Sequence, residues 1–168
     1  MKTKQRLISL TAGALLGAAS AFSFADVESS VYYLSPVIYS DGAAHALPIT
    51  SSGGTIAYVY ASNVDTRAVF FNAECAVQSA DNFTWFDINL EVTYPNGTVS
   101  IIAPSSSDNA FCTGHGNNIL GTWSSNETHG TFYASQTGWY RIRVIGQLMG
   151  YTSGERVRMD DMSLIVMD

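Results

Sequence analysis

Hydrophobic and polar residues alternate along most of this chain with a period of two. In residues 84 to 94 (TWFDINLEVTY), Phe86, Ile88, Leu90, Val92 and Tyr94 fall on one side, and Trp85, Asp87, Asn89, Glu91 and Thr93 on the other. Successive side chains of a strand point to opposite faces, so the first set reads as core. Residues 67 to 78 (RAVFFNAECAVQ) place Val69, Phe71, Ala73, Cys75 and Val77 inward, with Ala68, Phe70, Asn72, Glu74 and Ala76 outward. In residues 138 to 146, Tyr140, Ile142 and Val144 share one face, and Trp139, Arg141 and Arg143 the other. Residues 155 to 167 alternate through Val157 and Met159, then resume with Met162, Leu164 and Val166. The register slips by one at Asp160-Asp161, as a β-bulge would make it.

Further strand-like runs occupy 30 to 39, 55 to 62, 98 to 104, 121 to 125 and 130 to 135, with turn signals such as SSGG, SNVD, PNG, SSSDN, GHGNN and TSG between them. Beyond residue 25 no window carries a helical period. The pattern predicts an all-β fold, a single antiparallel β-sandwich of the jelly-roll kind, over residues 26–168. Asn96-Gly97 predicts a tight turn and a hairpin with the run that follows it. A second hairpin is expected through Gln147 to Gly154, which would gather Arg141, Arg143, Arg156 and Arg158, either paired with Glu74, Asp87 or Glu91 or free to take an acidic glycan.

The first 25 residues break this pattern. Lys2, Lys4 and Arg6 precede the apolar LISLTAGALLGAASAF, and Ser23-Phe24-Ala25 supplies small residues before Asp26. This reads as a secretory signal, residues 1–25, cleaved after Ala25, and the apolar run is short for a bilayer. Export to the periplasm or the exterior is the expectation, with no membrane insertion afterwards. Three of the eight basic residues leave with the signal while all fourteen acids stay, which carries the formal charge from −6 to −9. Nucleic acid and anionic membranes, which bind through clustered Lys and Arg, are excluded as partners.

Export also decides what the two cysteines are. Cys75 and Cys112 lie 37 positions apart with no C-x-x-C, so an oxidising compartment makes one disulfide the default and a metal pair the competitor. Period two separates Cys75, inward, from Glu74, outward, and they need not form a catalytic pair.

Three sets of residues carry a resemblance. Ala73-Glu74-Cys75 with Ala110-Phe111-Cys112, the W-x-D-I-x-L-x-V run from Trp85, and the closing G-x-Y-x-I-x-V from Gly138 and D-D-x-S-L-x-V from Asp160 resemble a group of small exported bacterial β-sandwich proteins. This covers about residues 55 to 168 and implies fold and export but no activity. The segment Asp160-Asp161-Met162-Ser163-Leu164 is similar to the last strand of jelly-roll carbohydrate-binding modules. That likeness implies a structural calcium at Asp160 and Asp161; the alternative is a solvated, bulged edge.

Catalytic signatures are missing: no G-x-S-x-G, H-E-x-x-H, phosphate loop or dinucleotide fingerprint occurs. His45, His115 and His129 all read as turn residues. Asp87 and Glu91 share a face but stand about 13 Å apart, too far for a glycosidase pair. No enzyme is expected, and no cofactor beyond the possible calcium. The outward tryptophans carry the functional reading. Trp85 with Asp87 and Asn89, and Trp139 with Arg141 and Arg143, have the composition of a sugar-binding surface, in which a flat ring meets the apolar face of a pyranose and polar groups take its hydroxyls. A covering loop, 105 to 120, or an oligomer interface are the alternatives. The expectation is an exported, non-catalytic binding domain for carbohydrate or another surface ligand. The alternative is a structural or assembly subunit, pilin-like or a surface-layer component.

Overall fold

The computed structural model describes residues 25–102, 110–114, 116 and 123–168. The expected signal lies outside them except for Ala25, as do His115 and most of loop 105 to 120. Eleven strands run through the described residues: β1 (Val27–Tyr33), β2 (Val37–Tyr39), β3 (Ala44–Ala46), β4 (Ala57–Ala61), β5 (Asp65–Gln78), β6 (Trp85–Thr93), β7 (Val99–Ile101), β8 (Ala110–Thr113), β9 (Ser124–Ala134), β10 (Gly138–Met149) and β11 (Arg156–Met167). They form two antiparallel sheets. In the first the order is β1-β11-β5-β9, with β2 beside β11. In the second it is β3-β10-β6-β7, with β4 also beside β10 and β8 beside β6.

Strands that share one flank lie end to end along their longer partner. β4 faces Gly138 to Ile142 of β10 and β3 faces Ile145 to Gln147, while β7 and β8 divide the flank of β6. With those short strands merged, the chain passes from sheet to sheet at every step except the β6–β7 hairpin, in the order of a jelly roll. The core is the inward half of the alternation. Val69, Phe71, Cys75 and Val77 of β5 and Met159, Met162 and Leu164 of β11 close against Phe86, Ile88 and Leu90 of β6 and Tyr140, Ile142 and Val144 of β10, all buried.

Local devices follow the sequence closely. Gly97 takes φ 86° and its N–H donates to Tyr94 O at 2.9 Å, so Pro95-Asn96-Gly97 closes the β6–β7 hairpin with the left-handed residue at its last position. The bulge is present: Asp160 opposes Glu74 and Ser163 opposes Asn72, so the β11 side holds one extra residue. Asp161 there is the one non-glycine described residue with positive φ, 47°. Cys75 and Cys112 are joined, with Cα atoms 6.4 Å apart, tying β5 of the first sheet to β8 of the second.

Other expectations are overturned. β10 and β11 do not form a hairpin: β10 pairs in the second sheet and β11 in the first. Both flanks of each strand are taken by other partners, β6 with β3 and β4 for β10, and β5 with β1 and β2 for β11, and their apolar faces meet across the core. Arg156 and Arg158 therefore lie on the opposite side of the sandwich from Arg141 and Arg143. The run 30 to 39 is two strands because Pro36, which lacks an N–H, interrupts the ladder. Of the runs 121 to 125 and 130 to 135, residues 121 and 122 lie outside the described residues, and Ser124 and Ser125 join 130 to 134 in one strand, β9, whose ladder runs without a break through Thr128-His129-Gly130. His129 is thus a strand residue, opposite and stacked on Phe70 at 5.8 Å between centroids. His45 is likewise inside β3.

Candidate functional site

The outer face of the second sheet carries every residue expected to bind ligand, but it divides them between two ends. Trp85 opposes Met149 on β10, and Trp139 lies ten residues earlier on that strand. At a rise of about 3.3 Å per residue the two indoles stand roughly 33 Å apart. They form two sites.

At one end, the Trp85 Nε1–H donates to Asp87 Oδ1 at 2.7 Å. The ring is half-buried, opposite Thr113 of β8, and the disulfide at the neighbouring Cys112 holds β8 in place. The linker from β10 to β11 also packs here. Its Glu155 is buried, accepting from Thr152 Oγ1 at 2.7 Å and from the Thr152 N–H at 3.1 Å. The Thr152 hydroxyl holds the Glu155 carboxyl below its ordinary pKa, with burial opposing. Asn89 lies between the two ends, opposite Ile145.

At the other end, β4 and β10 set aromatic rings side by side. Tyr60 opposes Trp139 and Tyr58 opposes Arg141. Trp139 is 60% exposed, Tyr58 56% and Tyr60 49%. The Tyr60 ring meets Trp139 edge-on at 5.2 Å. Trp139, Tyr58, Tyr94, Pro95, Gly97 and Arg141 line a cleft of about 530 Å³. A second cleft of about 210 Å³ continues along Thr93 and Val99 and shares Gly97 and Arg141.

The floor and wall of this cleft are held by packing and a hydrogen bond. Buried Tyr140 packs edge-on against Tyr94 at 5.5 Å, and its hydroxyl donates to Gln136 O at 2.8 Å, fixing the β9–β10 turn beneath the shelf. Gly138, φ 148°, permits the Pro95 ring to close in, since a Cβ there would lie 3.0 Å from it. Arg143, next along the face, is neutralised by Glu91, its Nε donating to Oε1 at 2.8 Å.

The remaining candidates lie on other surfaces. Asp160 and Asp161 stand on the outer face of the first sheet. There Asp161, Glu74, Glu127 and Asn72 line a shallow cleft of about 260 Å³. The Asp161 N–H donates to Asp160 Oδ1 at 3.0 Å. Among the described residues no three His, Cys, Asp or Glu side chains gather to hold a metal, so a calcium ion here would rest on these two acids with carbonyl and water oxygens. His45 Nε2 pairs with Asp41 Oδ1 at 2.6 Å, and that hydrogen bond is the main cause of a lowered Asp41 pKa. The His45 ring stacks on Tyr39 at 4.6 Å, and burial pushes the Tyr39 hydroxyl pKa up to about 12. No nucleophile is bonded to His45 among the described residues.

Tyr58 and Tyr60 were not anticipated from sequence. The alternation of TIAYVYAS turns both outward, but only the pairing of β4 with β10 sets them beside Trp139.

No protein-family model matches the sequence, and no curated protein matches it. Among solved structures, the chain is similar to a structure of infectious bursal disease virus, Gt strain (10% identity, TM-score 0.43), over 85% of this chain and 33% of that one. It is also similar to the CBM22-1 xylan-binding domain of Paenibacillus barcinonensis Xyn10C (9%, 0.42), over 84% of this chain and 95% of that one. A third likeness is to Eiger TNF from S. frugiperda (11%, 0.42), over 82% and 90%. The chain thus spans about a third of the viral protein. Likenesses of this depth carry neither ligand nor activity from one protein to another.

Proposed function

We propose that this is an exported, non-catalytic binding domain that recognises carbohydrate on the shelf formed by Tyr58, Tyr60 and Trp139. The observation behind it is three rings about half-exposed on adjacent strands, bordering a cleft whose Tyr94 side is packed against buried Tyr140. A pyranose lays its C–H face on such rings and turns its hydroxyls toward polar neighbours. The disulfide supports export, since such bonds persist in oxidising compartments. Among the described residues no helix is long and apolar enough to cross a membrane. A glycan array followed by titration tests the proposal. Trp139→Ala should weaken binding by roughly 1 to 3 kcal/mol, by analogy with bases stacking on aromatic rings, and leave the melting temperature almost unchanged. A blank array, or affinity indifferent to Trp139, would sink it.

The assembly alternative uses the same shelf differently. A pilin-like subunit needs a sandwich that lacks a strand, whereas β11 fills the middle of the first sheet between β1 and β5. For a surface-layer component, the rings would be a contact between protein copies. A solution mass that rises with concentration and falls to the monomer in Trp139→Ala would favour that reading over glycan binding. Calcium at Asp160 and Asp161 belongs to the proposal as a structural ion. A melting temperature that rises with added calcium, and not in Asp160→Asn, is the expected outcome.

A further inference from the structure

We infer that the cleft beside Trp139 takes a sugar bearing a carboxylate, a uronic acid unit, and that Arg141 is the residue that reads its charge. This rests on the stacking shelf proposed above and narrows it to a ligand class.

Residues 26–168 contain five arginines and no lysine. Four of the arginines have partners. Arg67 is buried and donates from Nε to Glu28 at 2.7 Å and from a terminal nitrogen to Asn63 at 2.6 Å. Arg143 is held by Glu91, and Arg156 donates to Gln78 Oε1 at 2.7 Å. Arg158 lies over the Trp123 ring, 4.9 Å from its centroid. Arg141 has no hydrogen bond, ion pair or ring partner among the described residues, is exposed, and lines both clefts of the site. With Glu91 cancelling Arg143, the charge of Arg141 is uncompensated among the described residues of a domain that is otherwise strongly acidic.

A neutral sugar gives no reason for a bare guanidinium here, since amide or hydroxyl groups would meet its hydroxyls as well. A carboxylate does: the planar fork of arginine donates two parallel N–H bonds to its two oxygens. Trp139 and Arg141 share a face at an i, i+2 spacing of about 6.6 Å. That is the reach of a pyranose seated on the indole with its exocyclic carboxylate turned toward the guanidinium. The long-range field of the acidic domain opposes an anion, so the selection depends on this short-range contact and weakens with salt.

The test is an NMR titration of the exported protein with methyl glucuronide and methyl glucoside, which share a ring and differ at the carboxylate, following the backbone amide signals of Tyr58, Gly97 and residues 139 and 141. The glucuronide should bind at least tenfold more tightly. Arg141→Gln should bring the ratio of the two dissociation constants to about one, and Arg141→Lys should leave it in between. Trp139→Ala should weaken both sugars. Equal affinities, or a ratio that survives Arg141→Gln, would overturn the inference while leaving the stacking shelf intact. No response to either sugar would overturn both. If acetate or N-acetylaspartate shifts the same signals as strongly as the glucuronide, the site reads a carboxylate without the sugar, and the inference fails.

Discussion

The two ends of the second sheet's outer face began from the same residue type and ended with different surroundings. Trp85 has a carboxylate of its own two residues away, a disulfide-pinned strand beside it and a partly covered ring. Trp139 has neighbours of its own kind, an arginine unpaired among the described residues and an open ring. An indole on a polar face is therefore not informative alone. Where its N–H is bonded within the same strand, it belongs to the packing of the sandwich end. Where two further rings extend it across the next strand, it stands open beside a cleft. Holding one end rigid with local staples leaves the other free to stay exposed without loosening the fold.

Breaking the disulfide should separate the ends most. Cys75→Ala with Cys112→Ala releases a loop that, in the chain-entropy description, contributes about 4 kcal/mol. Denaturant unfolding should show a loss of that order. Hydrogen exchange should rise around Trp85 and β8, while ligand titration at the Trp139 end stays unchanged. Loss of binding there would mean the two ends are coupled.

Truncating the indoles comes next. Trp85→Ala should cost about 2 kcal/mol of stability, below the range for a fully buried aromatic because the ring is half-covered, and should leave ligand affinity alone. Trp139→Ala should do the reverse, with stability changed by less than about 0.5 kcal/mol. Similar melting temperatures for the two variants would erase the distinction.

Smaller effects sharpen it at the Trp85 end. Thr152→Val removes the hydroxyl that holds Glu155 ionised. The folded-state pKa of Glu155 is depressed, so its contribution is complete at neutral pH and is lost as pH falls through that depressed value. The variant should be about 1 kcal/mol less stable near neutrality, with the gap closing in acid below the ordinary carboxylate range. A gap independent of pH would assign the loss to packing. Asp87→Asn, which keeps an acceptor for the Trp85 N–H but removes its charge, should cost least, about 0.5 kcal/mol, read as a small shift in the same melting curves.

Much of this was legible in the sequence, and for one reason. The alternation of side chains in a strand is a property of the local backbone, so the inward set Val69 to Val77, the outward Trp139 and Arg141, the turn at Asn96-Gly97 and the bulge at Asp160-Asp161 follow from neighbouring residues alone. Cysteine count and amino-terminal pattern likewise pointed to one disulfide, and the disulfide is present. Which strand lies beside which is a different kind of information. The hairpin expected after Gln147 did not form: β10 takes β6, β3 and β4 as its neighbours and β11 takes β5, β1 and β2, which sets the two in opposite sheets. That placement put Arg156 and Arg158 on the far side of the sandwich. The distance between Trp85 and Trp139, the arrival of Tyr58 and Tyr60 beside Trp139, and the pairing of Arg143 but not Arg141 were decided by contacts between segments far apart in the chain. A period of two assigns each residue a face, and only the closed sandwich assigns it neighbours.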